Sequence, residues 1–180
     1  MGDAIEEIRK NWGWFLASGI LLLVLGFLAL GSTTFTTLFT VSFLGMLCSI
    51  AGVVKVIYSF WARKWGGFFA SFVTGLLYLV TGALILWRPA EAAAALTLLI
   101  AVLFIVSGVA KLLGSIIMRF AEWGWVFFSG LVSLLLGVLL LAEWPVSGLW
   151  AIGIFVGIDL IFLGWTWVIL AFGAKRLPTR

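Results

Sequence analysis

Histidine is absent from the 180-residue chain. With it go the commonest general base, the commonest metal ligand and the usual switch near neutral pH. One cysteine, Cys48, sits in an apolar run, where it has no partner for an intramolecular disulfide or a thiolate metal site. Charged residues make up only 10% of the chain. Among them there is no carboxylate pair at glycosidase spacing, no nucleophile beside a base, no Walker loop and no metal-ligand cluster. The sequence therefore reads as non-enzymatic, with no catalytic residue, metal or cofactor. A net charge of +4 and a pI near 9.6 raise the question of nucleic acid. The basic residues occur in ones and twos between long apolar runs, which excludes a nucleic-acid face and makes them topology signals.

What the chain has in excess is apolar surface: 64% hydrophobic residues and a mean hydropathy of +1.28, far outside the soluble range. Spanning the hydrocarbon core needs roughly 20 apolar residues in a helix. Six such stretches occur, at about 12–31, 37–61, 66–87, 91–117, 123–143 and 147–172. The expected fold is an all-α integral membrane bundle of six transmembrane helices, a single domain over 1–180. Ala29-Leu30-Gly31 faintly resembles a signal cleavage site, but the first run exceeds the usual signal core, so it is expected to be retained.

Arg9, Lys10, Arg63, Lys64, Arg119, Lys175, Arg176 and Arg180 all fall on the side of the termini, against Arg88 alone on the other. The positive-inside rule places both termini in the cytoplasm. Tryptophans agree: Trp12, Trp14, Trp61, Trp65, Trp123, Trp125, Trp165 and Trp167 mark inner ends, and Trp87, Trp144 and Trp150 outer ones. All eleven read as an interfacial belt.

The chain also repeats. Gly19, Gly26, Gly45 and Gly52 recur 56 residues later as Gly75, Gly82, Ala101 and Gly108, and again as Gly130, Gly137, Gly157 and Gly164, the third copy being one residue out of step in its first helix. Pro89 and Pro145 are also 56 apart, each read as opening the second helix of its unit, with Thr33 in that place in the first. The expected architecture is three tandem helical hairpins, about 12–64, 65–119 and 123–175. Two crossings per unit make this a parallel repeat, unlike the inverted repeats of many secondary transporters. In every span the two small residues are seven apart, on one face, and lipid gives helices little reason to associate except by close approach at such residues. They are the candidate packing seams. Gly153 and Gly157 add a GxxxG pair that suits either an internal contact or an oligomer interface.

Three residues form the candidate intramembrane polar site. Asp159 is the one acid well inside a span, about twelve residues or roughly 18 Å from its outer end. A carboxylate there is costly, so it should face the bundle, carry its proton or find a partner, either as a proton-responsive group or as a fixed hydrogen bond setting helix register. Lys55 and Lys111 are equivalent positions near inner ends, with Trp167 in the third unit. Each is read as snorkelling to the cytoplasm or reaching marginally toward Asp159. Arg88, Glu91, Glu122 and Glu143 read as solvated boundary charges, Glu91 suiting the helix dipole.

Trp12-Gly-Trp14, the Gly19…Gly26 seam, a short outer loop and a second helix ending Gly52-Val-Val-Lys55, repeated as Gly108-Val-Ala-Lys111, form a pattern over about Trp12 to Phe172. It resembles the HdeD family of bacterial acid-resistance membrane proteins. The resemblance implies a six-span, multi-pass protein of the bacterial cytoplasmic (inner) membrane, linked to survival under acid or related stress. Its partners are the lipid bilayer and, beyond it, a membrane protein or another copy of the chain. Two other readings stay open: a channel or transporter for protons or a small solute using Asp159, and an adaptor recruiting a partner through an exposed seam such as Gly153–Gly157. Trp167 in place of a third lysine counts against any role needing three equivalent lysines.

Overall fold

A computed structural model describes residues 12–61, 65–118 and 123–175 of the chain. Arg9, Lys10, Arg63, Lys64, Arg119, Glu122, Arg176 and Arg180 lie outside the described residues, as do the side chains of Trp65 and Lys175.

The described residues form six helices and one short 3-10 turn: α1 (Trp12–Gly31), α2 (Thr33–Ser59), α3 (Trp65–Trp87), α4 (Pro89–Met118), α5 (Trp123–Ala142), the turn Val146–Leu149, and α6 (Ala151–Lys175). All six helices are long and apolar enough to cross a membrane. Only 11% to 22% of the residues in each apolar window are buried. Trp14, Trp87 and Ile117 are each more than three-quarters exposed. That much apolar side chain left outward fits lipid as the surrounding solvent.

The two largest boundary differences from the sequence reading are at the starts of α2 and α6. Helix α2 begins at Thr33, because Ser32 is the sole residue between it and α1: the Ser32 N–H donates to the Leu28 carbonyl and Thr36 N–H to Ser32. Pro145 does not open α6. It precedes the 3-10 turn, and α6 starts at Ala151. The turn seats Ser147 and Gly148 in buried positions, with the Ser147 hydroxyl on the Leu140 carbonyl at 2.7 Å. A Cβ on Gly148 would lie 2.5 Å from Ala94 Cα, so this close approach needs glycine. Pro89 does open α4.

The chain divides into two compact units. In the first, whose described residues are 12–36 and 153–175, α1 packs antiparallel on α6. A Cβ on Gly19 would meet Gly164 O at 3.0 Å, and one on Gly26 would meet Gly157 O at 3.0 Å; the reverse contacts are as close. Phe15 stacks on Trp167 at 5.3 Å between centroids.

In the second unit, residues 37–152, the same construction appears twice. Gly52 faces Gly75 and Gly45 faces Gly82, joining α2 to α3; Gly108 faces Gly130 and Ala101 faces Gly137, joining α4 to α5. Along these seams the glycine positions lie so close to the facing carbonyls that an added Cβ would come within 2.7 to 3.3 Å of them. Backbone this near permits Cα–H···O contacts and full van der Waals contact where lipid supplies no hydrophobic drive.

The pairing is therefore offset by one helix from the repeat. The sequence groups α1 with α2, α3 with α4 and α5 with α6. The seams join α2 with α3, α4 with α5, and α6 with α1. Link length accounts for the offset in the first two hairpins, but not in the third, whose link of residues 143–150 is long enough to pair α5 with α6. A single residue, Ser32 or Arg88, joins the first two sequence hairpins, too short to turn a chain back along a neighbour 8–10 Å away. Between α2 and α3 the helix bounds leave five residues, 60–64, and between α4 and α5 four, 119–122, lengths usual for helices packed side by side. Consistently, α3 and α4 meet far less than α4 and α5 do.

Candidate functional site: lysines, hydroxyls and one acid

The seams place the polar side chains. Read along the 56-residue offset, the buried stripe of the even-numbered helices continues past the glycines at both ends: Val41, Thr97 and Gly153 on one side, Ser59, Ser115 and Ala171 on the other, all buried. The glycine pattern alone finds Gly153, as part of the GxxxG pair, and misses the other five; testing every position for small residues at the same offset finds Ser59, Ser115 and Ala171. Ser59 and Ser115 spend their hydroxyls on their own helices, donating to Val56 O at 2.6 Å and Leu112 O at 2.8 Å. Thr97 is fully buried and its hydroxyl has no hydrogen-bond partner among the described residues.

Lys111 lies one residue-triplet beyond the Gly108 contact, and its Cβ is 3.0 Å from where a Cβ on Gly130 would stand. From there its ammonium reaches across to α5, donating to Ser129 Oγ at 3.2 Å and Ser133 Oγ at 3.4 Å. The Ser133 hydroxyl in turn donates to the Ser129 carbonyl at 2.9 Å. Lys111 is half-buried and is held sideways onto the neighbouring helix, in place of the snorkelling expected from the sequence.

Lys55, its equivalent on α2, is exposed, and its Nζ stands 5.1 Å from the centroid of the Tyr78 ring on α3. The attraction here is to the face of a π system. Trp167, the third equivalent, is stacked on Phe15 and so does more than mark an interface. Trp144 likewise donates its indole N–H to the Ala94 carbonyl at 3.2 Å.

Asp159 lies eight residues past Ala151, about 12 Å of helix, nearer the start of α6 than the sequence reading placed it. Its side chain is exposed, with no hydrogen bond or ion pair to any described residue. The structure thus engages each lysine with its own neighbouring helix and leaves the acid alone. Gly153 and Gly157 are both buried: a Cβ on Gly153 would collide with the Thr33 carbonyl, and one on Gly157 would lie 2.7 Å from Leu30 Cδ2. The GxxxG pair is occupied inside the first unit, which removes it as an exposed recruiting seam. The one ion pair among the described residues, Arg88 to Glu91 at 2.8 Å, is exposed at the elbow between α3 and α4. No described group of His, Cys, Asp or Glu is placed to hold a metal ion.

Six long apolar helices built on an internal repeat define the class: a repeat-built, multi-pass membrane protein. Two stretches, residues 17–87 and 73–142, match the family described as a short repeat of unknown function (DUF308). Their starts are 56 residues apart, the same offset that the glycines show, and together they cover 126 of the 180 residues. The chain belongs to the DUF308 short-repeat family, the family of HdeD-like membrane proteins. No curated protein and no solved structure matches it.

Proposed function

We propose that this chain is a non-enzymatic, stress-protection protein of the bacterial cytoplasmic membrane, similar in role to HdeD-type acid-resistance proteins, crossing the bilayer six times with both termini inside. The observation that carries the proposal is membership of the DUF308 family, with two matches in the register of the chain's own repeat. The glycine seams support it, because helices locked backbone to backbone suit a compact body that resists change better than one that must open and close. The test is survival of the host after acid challenge, with the gene deleted, restored, or restored as Gly108→Leu. Restoration by the native chain and failure of the seam variant is the expected outcome. Equal survival of the deletion and native strains sinks the reading.

A second reading, proton movement through Asp159, is favoured by one feature: an acid within an apolar helix, exposed and without a partner among the described residues. Such residues in membrane spans mark ion and proton pathways more often than structure. Proton flux into proteoliposomes at acid and neutral outside pH, for native protein, Asp159→Asn and empty vesicles, decides it. Acid-stimulated flux lost in Asp159→Asn makes the acid part of a path; flux equal to that of empty vesicles, with the protein folded, removes transport from consideration.

A further inference from the structure

The Lys111 cluster has more donors than acceptors. Of the three ammonium N–H groups, two go to Ser129 and Ser133. The Ser133 hydroxyl hydrogen is spent on the Ser129 carbonyl. Two donors are left: the third ammonium N–H and the hydroxyl hydrogen of Ser129, which has no acceptor among the described residues. They belong to atoms 3.2 Å apart, so a single acceptor atom at hydrogen-bond distance can touch both. The surroundings carry a full positive charge and no carboxylate: the described ion pairs and hydrogen bonds bring no acidic side chain to Lys111. Two converging donors on a cation without a counter-ion describe an anion site.

Depth narrows the chemistry. Helix α4 has 30 residues, about 45 Å, the thickness of a bilayer with its headgroups. Lys111 lies seven residues from Met118, about 10 Å, within roughly one helical turn of the headgroup layer at that end. The abundant anion at that level is the phospholipid phosphate, and a lysine near it draws phosphate inward by local thinning of the bilayer.

We propose that Lys111 and Ser129, steadied by Ser133, form a binding site for a phosphate oxyanion between α4 and α5, filled by the headgroup of an anionic phospholipid. At the equivalent place beside Lys55, Thr74 stands where Ser129 does but spends its hydroxyl on the Ala70 carbonyl at 2.7 Å, and Tyr78 replaces Ser133 and presents its ring to the ammonium. With no free hydroxyl donor beside the cation, this copy provides an internal control. The site does not depend on the stress-protection reading, because its chemistry is the same in either leaflet.

The test is native mass spectrometry of the full chain purified with phosphatidylglycerol, comparing the native protein with Lys111→Met, Ser129→Ala and Lys55→Met, each checked for helicity. Melting with and without inorganic phosphate is measured in parallel. Retained phosphatidylglycerol should fall about fivefold in Lys111→Met, the worth of one lysine near a charged headgroup. It should fall in the same direction in Ser129→Ala, and hold in Lys55→Met. If lipid retention is unchanged but inorganic phosphate raises the melting temperature of the native protein and of neither site variant, the phosphate site stands and its source is soluble. If neither readout responds to Lys111→Met or Ser129→Ala, or if Lys55→Met loses lipid equally, the proposal is overturned. Ser129→Ala keeps the test decisive should Lys111→Met fail to fold.

Discussion

Lys55 and Lys111 stand at the same place in two copies of one repeat, each a short step beyond a glycine pair that holds its helix against the next. Around the glycines the two copies are nearly interchangeable: Gly52 on Gly75 and Gly108 on Gly130 reproduce the same carbonyl contacts to within a few tenths of an ångström. Around the lysines they differ in kind. One ammonium lies over an aromatic face, and the other is tied to two hydroxyls. The third copy replaces the cation with Trp167 on Phe15. In lipid the backbone contact holds the helices together, and it tolerates little change. The side chains one turn away touch that contact at most through their first carbons, as Lys111 Cβ does at Gly130, and their outer ends are free to diverge. A repeat of this kind keeps its frame while each copy takes on its own chemistry.

The most severe way to break this comparison is to fill a seam. In Gly108→Leu the new Cβ would stand 2.7 Å from Leu134 N and 2.9 Å from Gly130 O, atoms of a helix backbone that cannot swing aside. The expected cost is about 3 kcal/mol, the upper range for overpacking, read as the shift in unfolding in mild detergent. Gly52→Leu should cost about the same, since its Cβ meets Leu79 N at 2.7 Å. Gly114→Leu on the same α4 meets nothing within 4 Å and should stay within about 0.5 kcal/mol of the native protein. Equal costs at Gly108 and Gly114 would mean that the α4–α5 seam does not hold the unit together.

Much of this was legible in the sequence, and the part that was not has an identifiable cause. The six spans follow from apolar length, and the α1 span and the α5 start coincide with the helices observed. The 56-residue offset is written in glycine positions and returns in the family matches. Which helix each seam faces was hidden, because a stripe of glycines marks a face without naming its partner. That choice rests on Ser32 and Arg88, single-residue links whose shortness becomes visible only once α2 and α4 are seen to begin at Thr33 and Pro89. The lysines were found by the repeat, but their partners were not. Tyr78, Ser129 and Ser133 are unremarkable in an apolar helix until the pairing of α2 with α3 and α4 with α5 sets them opposite Lys55 and Lys111. The break at Pro145 was missed because the equivalent Pro89 does open a helix, and nothing before Gly148 marks the backbone contact with Ala94.

A milder change sharpens the comparison at the other end of the stripe. Val41 and Thr97 are equivalent and both fully buried, yet only Thr97 carries a hydroxyl, and that hydroxyl is unpaired among the described residues. Thr97→Val keeps the shape and removes a buried polar group without a partner, so it should stabilise the protein by about 1 to 2 kcal/mol. The reciprocal Val41→Thr should destabilise by a similar amount in the same unfolding assay. Loss of stability in Thr97→Val would show that the hydroxyl is satisfied, and the two copies would then differ in hydrogen bonding at this position as well as at the lysines.

The smallest effect lies in the Lys55 contact itself. A cation over an aromatic face at an exposed position contributes about 0.5 to 1 kcal/mol, below what a single substitution separates from changes in packing. A double-mutant cycle isolates it. The cycle pairs Lys55→Met with Tyr78→Leu and subtracts the two single effects. The expected coupling is about 0.5 to 1 kcal/mol, and Tyr78→Phe should preserve it, because the ring face and not the phenol hydroxyl meets the ammonium. A coupling lost in Tyr78→Phe would assign the contact to the hydroxyl. Lys55 would then be held by an oxygen, as Lys111 is, and the anion site inferred for Lys111 would lose its internal control. A coupling kept in Tyr78→Phe fixes the distinction between the two lysines as ring against hydroxyl, at positions where the backbone is otherwise the same.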